Sequence, residues 1–235
     1  MGSKNRIAKE ILPIMLKDRS PEQWYVEPFA GGMNMICDAK GKRIANDIHP
    51  YLIALFESVV YNYWNPIKIS KQLYDDIREN KSLYPNQLVG WAGFGCSYNG
   101  KYFGGYAGEI NTKIGTVRDY QQESINNLLI QKNKLIGVHF TCMPYNEMVI
   151  PDCSIIYCDP PYEGTTKYRD DINHAEFWDW CRRKSKEGHI VYVSEYNAPD
   201  DFICVWKKDI VSSLTKDTGS KIATERLFTI LPLQQ

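Results

Sequence analysis

The sequence predicts an α/β fold in which an open, mostly parallel β-sheet is covered by helices on both faces. Short apolar strand-like runs alternate with helical runs along most of the chain, and strands that alternate with helices form parallel sheets. Two of the strand-like runs end in segments rich in Gly, Pro and Asp, and open α/β sheets bind ligands at such strand ends. The length of 235 residues suits one α/β core with a small insert.

The elements follow in order from apolar periodicity and capping residues. In the first half we expect a helix at 5–17, a strand at 24–29, a short helix from the following glycines to Gly41, a strand at 43–46, and helices at 50–64 and 66–79. In the second half we expect a helix at 120–135 capped by Asp119, strands at 138–142 and 154–158, a helix at 174–187, a strand at 189–194, and a terminal antiparallel pair at 202–210 and 227–233.

Residues 83–118 lose this periodicity and are rich in glycine and tyrosine. A long irregular segment inside a compact fold is usually functional, so we interpret it as part of an inserted recognition region. The tyrosines and phenylalanines interleaved there with Gly, Asn and Lys suit a nucleic-acid surface, because bases stack on aromatic rings. Stabilisation of a loop is the alternative for Tyr98, Tyr102, Phe103 and Tyr106.

Composition restricts the class of protein. The 28 basic and 28 acidic residues balance, which excludes a small, strongly basic nucleic-acid-binding arm but leaves nucleic-acid binding open, because the position of charge decides it. Residues 1–19 carry 5 basic against 2 acidic side chains, and residues 61–135 carry 9 against 6. Seven cysteines without a C-x-x-C pair predict free thiols and a cytoplasmic protein. No apolar run is long enough to cross a membrane, and no signal peptide is apparent.

The first group of chemistry-bearing residues follows the first predicted strand. Glu27 and Phe29 close that strand, and Gly31 and Gly32 form a turn where backbone can approach a ligand closely. The short helix expected next would present free N–H groups, and Asp47, at the end of the second strand, can accept hydrogen bonds from ribose hydroxyls. The absence of G-x-G-x-x-G favours a nucleoside over a dinucleotide. The alternative is a tight turn with a solvated acid nearby.

The second group is Asp159-Pro160-Pro161-Tyr162, delivered by the apolar run 154–158. The Asp159 carboxylate and the Pro160 carbonyl can accept both hydrogens of an exocyclic amine, which directs the nitrogen lone pair at an electrophilic methyl group. Proline fixes φ and so holds these acceptors stiffly. Tyr162 can stack on the base and keep its plane. No covalent intermediate is needed, so no cysteine has to act as a nucleophile.

Five motifs, in this order, resemble those of the Dam-type (α-group) adenine-N6 DNA methyltransferases. They are Gly2-Ser3-Lys4, Glu27-Pro28-Phe29-x-Gly31-Gly32, Ala45-Asn46-Asp47-Ile48, Tyr157-Cys158-Asp159-Pro160-Pro161-Tyr162 and Thr224-Glu225-Arg226-Leu227-Phe228. The resemblance spans nearly the whole chain. It implies a Rossmann-like, mostly parallel sheet with helices on both faces and a small inserted recognition domain, with 1–60 and 136–235 as catalytic core and 61–135 as target-recognition insert.

The resemblance also implies roles for single residues, with S-adenosylmethionine as methyl donor and no metal. The catalytic residues would be Asp159, Pro160 and Tyr162. The donor would be bound by Lys4, Glu27, Phe29, Gly31, Asp47, Ile48 and Asp159. DNA would be bound by Tyr98, Asn99, Lys101 and Arg118.

Three departures from the family pattern restrict what carries over. The chain supplies no aromatic residue just before Gly2-Ser3-Lys4, and it reads Cys142-Met143-Pro144-Tyr145 where relatives often have an acid that contacts the adenine ring. It reads Lys101-Tyr102-Phe103 where relatives have Arg-Tyr/Phe-Asn. The target sequence therefore cannot be carried over.

The partner implied is double-stranded DNA, in a prokaryotic cell or phage-infected host, with a cognate restriction endonuclease as a candidate partner. We expect a monomer, with a dimer left open. Enzymes of the same fold that act on RNA adenine, cytosine N4 or a protein glutamine are the closest alternatives. A catalytically silent DNA-binding relative is another alternative.

Overall fold

A seven-stranded sheet organises the chain, described here from a computed structural model over residues 4–112, 115–162, 172–212 and 221–230. The helices of this part are α1 (Asn5–Met15), α2 (Pro50–Tyr61), α3 (Lys71–Glu79), α4 (Asn86–Gly90), α5 (Tyr120–Leu135) and α6 (His174–Lys186). The strands are β1 (Tyr25–Glu27), β2 (Arg43–Asn46), β3 (Glu109–Asn111), β4 (Val117–Asp119), β5 (Val138–Thr141), β6 (Ile155–Cys158), β7 (Ile190–Glu195), β8 (Ile203–Ser212) and β9 (Lys221–Thr229).

The strand order in the sheet is β5-β2-β1-β6-β7-β9-β8. The pairs from β5 to β7 are parallel, whereas β9 pairs antiparallel with both β7 and β8. The predicted mostly parallel α/β fold with a terminal antiparallel pair is therefore confirmed. Residues 231–233 of the predicted last strand lie outside the described residues.

Helices cover both faces of the sheet, as predicted. Successive side chains of a strand point to opposite faces, so Tyr25 packs in one hydrophobic cluster and Val26 in the other. The first cluster contains apolar residues of α1, α2 and α5, including Ile11, and the second contains α6 through Phe177. The central strands β1, β2 and β6 are buried along their whole length because each face carries helices.

The segment between α2 and α5 packs on the first cluster. Tyr74 of α3 and Trp91, in a π-helical turn that extends α4, are fully buried in that cluster. The Trp91 indole N–H donates to the Ile67 carbonyl at 2.7 Å. An antiparallel hairpin of β3 and β4 follows, and α5 begins at Asp119, whose carboxylate caps the Gln122 N–H as predicted.

Two element predictions are wrong. The short helix expected up to Gly41 is absent, and residues 28–37 form successive turns instead. The cause is the backbone: Gly31 has φ +47° and Met33 has φ +59°, and a helix cannot continue through left-handed residues. The helix expected at 66–79 begins only at Lys71, because the Ser70 side chain caps the Leu73 N–H at 3.1 Å.

Among the described residues, none of the helices combines the length and the apolar character needed to cross a bilayer.

Candidate active site

The two predicted groups of residues meet at the carboxyl ends of β1 and β6. These neighbouring parallel strands lie where the strand order reverses, because β2 continues the sheet to one side of β1 and β6 lies on the other. Open α/β sheets bind ligands at such a switch point. Glu27 ends β1 and Asp159 directly follows β6, so the fold brings both acids to one edge.

A buried asparagine, whose role the sequence did not predict, ties this edge together. Asn46 ends β2 and is fully buried. Its amide nitrogen donates to the carbonyls of Pro28 and Met143 at 3.0 and 2.9 Å. Its amide oxygen accepts from the Thr141 hydroxyl and the Met143 N–H. One side chain thus fixes the segments that follow β1 and β5.

The turn after β1 is fixed by Asp47. One carboxylate oxygen accepts from the Gly31 N–H at 3.0 Å and the other accepts from the His49 N–H at 2.9 Å. Gly31 has φ +47°, and a Cβ placed on it would meet no atom within 4 Å, so its surface is open for a ligand. The expected N–H groups of a helix are replaced here by the backbone of this turn.

Glu27 supplies a buried acid at the same edge. The residue is 2 % exposed, and its Oε1 atom has no hydrogen-bond partner in the described part of the chain. Burial, partly opposed by Tyr25 and reinforced by the negative charge of Asp159, holds the pKa of Glu27 well above its ordinary value. A buried carboxyl with an unpaired oxygen is costly unless a ligand completes it.

Asp159 belongs to a partly buried cluster of four polar side chains. The Lys4 ammonium lies 2.7 Å from Glu225 Oε2 and 3.4 Å from Asp159 Oδ1. The Tyr162 hydroxyl donates to Glu225 Oε2 at 2.7 Å and also contacts the Lys4 ammonium. Asp159 Oδ2 makes no hydrogen bond within the described residues. This oxygen is therefore available as an acceptor.

The charges of this cluster shift the ionisation of its members. Burial raises the pKa of Asp159 to about 6, with Lys4 opposing the shift and Glu225 adding to it. Burial alone would lower the pKa of Lys4, but the negative charges of Asp159 and Glu225 outweigh it, so the pKa lies above its ordinary value. Lys4 is therefore expected to carry its positive charge at neutral pH, whereas the pKa of Asp159 lies above its ordinary value.

The other residues predicted to bind the donor also lie around this edge. Phe29 is half-buried and contacts Tyr145 and Phe177, with ring centroids 5.1 and 5.8 Å away. Ile48 follows Asp47 with 52 % of its surface exposed, which leaves an apolar side chain at the open edge. Pro160 is buried directly after Asp159. Gly2 and Ser3 of the first motif lie outside the described residues.

The predicted DNA-binding residues lie in the segment between α4 and α5. Tyr98, Asn99 and Lys101 are exposed in one tight turn, where Asn99 adopts φ +56°. Arg118, on β4, is also exposed, but both of its terminal contacts go to Glu123, each at 2.8 Å. The charge of Arg118 is therefore balanced by Glu123, whereas Lys101 lies in the exposed turn.

Most of the neighbouring aromatic side chains are structural. Tyr106 donates from its hydroxyl to the Ile69 carbonyl at 2.9 Å, and Phe103 packs on Tyr74 at 5.3 Å. Tyr102 lies 4.3 Å from the His49 ring, next to the candidate site. The contacts of Tyr106 and Phe103 therefore fit the alternative interpretation, in which these side chains stabilise the loop.

The fold and this edge define a class: an α/β protein with a candidate ligand site at its switch point and an Asp-Pro-Pro-Tyr segment beside it. Residues 1–88 match the profile of the D12 class N6 adenine-specific DNA methyltransferases. This match and two relatives confirm the resemblance predicted from the motifs.

Two curated relatives are also similar to this chain. The chain is 23% identical over 207 residues to the type II methyltransferase M.FokI of Planomicrobium okeanokoites, covering 77% of this chain and 31% of the relative. It is 26% identical over 205 residues to the retron Ec67 DNA adenine methylase of Escherichia coli, covering 72% of this chain and 67% of the relative. The chain thus spans less than a third of M.FokI.

A solved structure of SMU.472 complexed with SAH aligns with a TM-score of 0.39 and 10% identity, over 99% of this chain and 54% of that chain. That likeness is too distant to support a conclusion.

Proposed function

We propose that this protein is a site-specific DNA adenine methyltransferase that transfers a methyl group from S-adenosylmethionine to N6 of a flipped adenine. The observation that carries the proposal is Asp159, which stands at the switch point with its Oδ2 atom available and with the Pro160 carbonyl next along the chain. Two adjacent rigid acceptors match the two hydrogens of an exocyclic amine. The family assignment supports adenine as the base.

The donor site is supported by the fit of the residues present. Glu27, Asp47 and Asp159 give the edge an acidic character that suits a cationic ligand, and the unpaired Glu27 Oε1 atom can accept from the donor's amino group. The open face of Gly31 admits a ligand close to backbone, and the exposed Ile48 offers apolar contact to a base. When bound, S-adenosylmethionine would supply the electrophilic methyl group.

The protein's own groups would then orient the target amine. Asp159 and the Pro160 carbonyl would accept the two amine hydrogens and direct the nitrogen lone pair toward the methyl group. The Tyr162 ring, anchored through its hydroxyl to Glu225, would stack on the adenine. Such contacts must offset the few kcal/mol that unstacking a base from the duplex costs.

We assign target recognition to residues 61–135 and catalysis to 1–60 and 136–235. The exposed turn with Tyr98, Asn99 and Lys101 supports this division. The partner is double-stranded DNA, and the restriction-modification context of M.FokI makes a cognate endonuclease a partner to be sought. We expect the enzyme to act as a monomer in the cytoplasm of a prokaryotic or phage-infected cell.

Incubation with unmethylated duplex DNA and methyl-labelled S-adenosylmethionine tests the function. We expect label in N6-methyladenine, and a single-turnover rate at least about 100-fold lower in Asp159→Asn, because a preorganised acceptor of this kind contributes that much to a rate. Asp152→Asn, which changes an exposed carboxylate before β6, is the matched control and should keep the wild-type rate.

Other outcomes would contradict the proposal in distinct ways. Label found only in RNA, in cytosine or in a protein glutamine would show that the protein transfers methyl groups to an acceptor other than DNA adenine. Binding of DNA without any transfer would make the protein a silent relative. Transfer that persists in Asp159→Asn would overturn the site assignment.

A further inference from the structure

Glu225 is a shared acceptor for two side chains of the candidate site. Its Oε2 atom lies 2.7 Å from the Lys4 ammonium and accepts the Tyr162 hydroxyl at 2.7 Å. Its side chain is only 16 % exposed. Glu225 stands on β9, which is not a strand of the switch point, and it reaches the site through its hydrogen bonds with Lys4 and Tyr162.

The Lys4 ammonium contacts two carboxylates at different distances. The ammonium lies 2.7 Å from Glu225 and 3.4 Å from Asp159, so Glu225 is the closer partner. If Glu225 lacked its charge, Asp159 would be the remaining carboxylate in contact with Lys4. A full ion pair there would occupy acceptor positions of Asp159 that the target amine needs.

We propose that Glu225 is a positioning residue of the methyl-transfer site: it draws Lys4 away from Asp159 and anchors Tyr162, so that the Asp159 carboxylate stays available to the target amine. This inference rests on the proposed function. Glu225 acts through its two neighbours and does not touch the reacting atoms.

Several titratable groups surround Asp159, on the elements that pack against it. They are Lys4 at the start of α1, Glu27 on β1, Tyr157 on β6, Tyr162 on the following loop and Glu225 on β9. Tyr196, which follows β7, packs its ring on Tyr162 and lies near Lys4, Glu225 and Glu195, the last residue of β7. Within this group, Glu225 Oε2 accepts hydrogen bonds from the Lys4 ammonium and from the Tyr162 hydroxyl.

The variant Glu225→Gln tests the inference, because it keeps the shape of the side chain and removes its charge. We expect the single-turnover rate at saturating donor and DNA to fall about 10-fold, with the midpoint of thermal unfolding close to that of wild type. The Asp159 carboxylate, followed by ¹³C NMR in the ligand-free protein, should titrate about one pH unit lower, because it loses a like charge and gains Lys4. The Asp159→Asn spectrum assigns the resonance.

Glu22→Gln is the matched control. It removes one charge from the exposed Glu22–Lys42 ion pair. These residues precede β1 and β2, so they lie at the edge of the sheet opposite the candidate site. Rate and titration should match wild type. A merely structural role for Glu225 would change the unfolding midpoint without moving the Asp159 titration.

The possible failures are distinguishable. Wild type that methylates no DNA overturns the proposed function together with this inference. An active wild type with an unchanged rate and an unchanged Asp159 titration in Glu225→Gln overturns the inference alone. If Glu225→Gln does not fold, Tyr162→Phe tests the same contact from its other side: the rate should fall several-fold with the Asp159 titration unmoved, and a wild-type rate would refute the anchoring role.

Discussion

Asp159 combines two properties that usually oppose each other: it is held in a shielded position, yet it has to carry a negative charge to accept an amine. Burial raises its pKa to about 6 while Lys4 opposes the shift. The ionised form is the acceptor in the proposed reaction, and it is lost as pH falls through that pKa.

The pH dependence of the reaction follows from this ionisation. We expect kcat/KM, which reports the free enzyme, to be level above about pH 7 and to fall about tenfold per unit well below pH 6, as Asp159 takes up a proton. Rates between pH 5 and 8 measure this, with circular dichroism confirming that the protein stays folded. A flat profile across that range would contradict the role of Asp159.

The same shift predicts a change in stability. A carboxyl whose folded pKa is raised contributes most to stability at low pH, and that contribution is lost as pH rises through about 6. Asp159→Asn removes the cost of the ionised form, so the free energy of unfolding at pH 8 should rise by about 1–3 kcal/mol. At pH 4 there should be little gain. Urea unfolding at both pH values measures the difference, and a loss of stability at pH 8 would show that the ion pair with Lys4 dominates.

Single residues also show what the sequence could and could not predict. Asp47, Asp159 and Tyr162 stand in short strings beside apolar strands, so local sequence was sufficient to select them. Glu225 forms its hydrogen bond with Lys4 across 221 positions of the chain, and Asn46 reaches Met143 across 97. Such partners depend on the strand order, which a local motif does not contain.

At the scale of elements, strands and long helices were predictable and the irregular segments were not. β2 and α5 have the expected bounds because burial and a capping Asp119 define them. The turns after β1 were mistaken for a helix because Met33 takes a left-handed conformation that its residue type does not signal. The π-helical turn after α4 lies where the apolar periodicity fades.

For residues 61–135, the proposed recognition segment, we predict different contributions of Lys101 and Arg118 to DNA binding. Arg118 is engaged by both oxygens of Glu123, whereas Lys101 lies in the exposed turn. Lys101→Ala should weaken DNA binding and reduce the slope of log Kd against log salt by about one. Arg118→Ala should change both less. Fluorescence anisotropy with labelled duplex at several salt concentrations measures the slopes.

Lys71→Ala on α3 is the control for the loss of one exposed charge in the same segment. Donor binding should be unchanged in all three variants. Equal effects of Lys101→Ala and Lys71→Ala would argue against the turn as the DNA-contacting surface.

At the scale of the whole molecule, the net charge of zero is the sum of regions with opposite charge excess. Residues 61–135 carry 9 basic against 6 acidic side chains, but Lys68, Lys71, Arg78, Arg118 and Lys134 form ion pairs with acids. Acids meanwhile gather at the candidate donor site. The surface that we propose binds DNA is therefore only mildly basic.

We expect DNA affinity to fall with salt, but less steeply than for a strongly basic binding protein that neutralises many phosphates. The full slope of log Kd against log salt for the wild-type protein measures this. Binding that does not depend on salt would count against the recognition segment as the DNA surface.

The position of β9 between β7 and β8 has a consequence for how the protein is made. Within the described part of the chain, β9 is the one strand bonded to β8, so β8 joins the sheet after the later strand has been synthesised. Glu225, carried by β9, also reaches Lys4, which precedes α1. Before β9 has been synthesised, the nascent chain already contains the turn after β1 and the Asp-Pro-Pro-Tyr segment. It still lacks Glu225, the residue that joins Lys4 to Tyr162. The site is thus completed late in translation, after almost every other strand of the sheet has been synthesised.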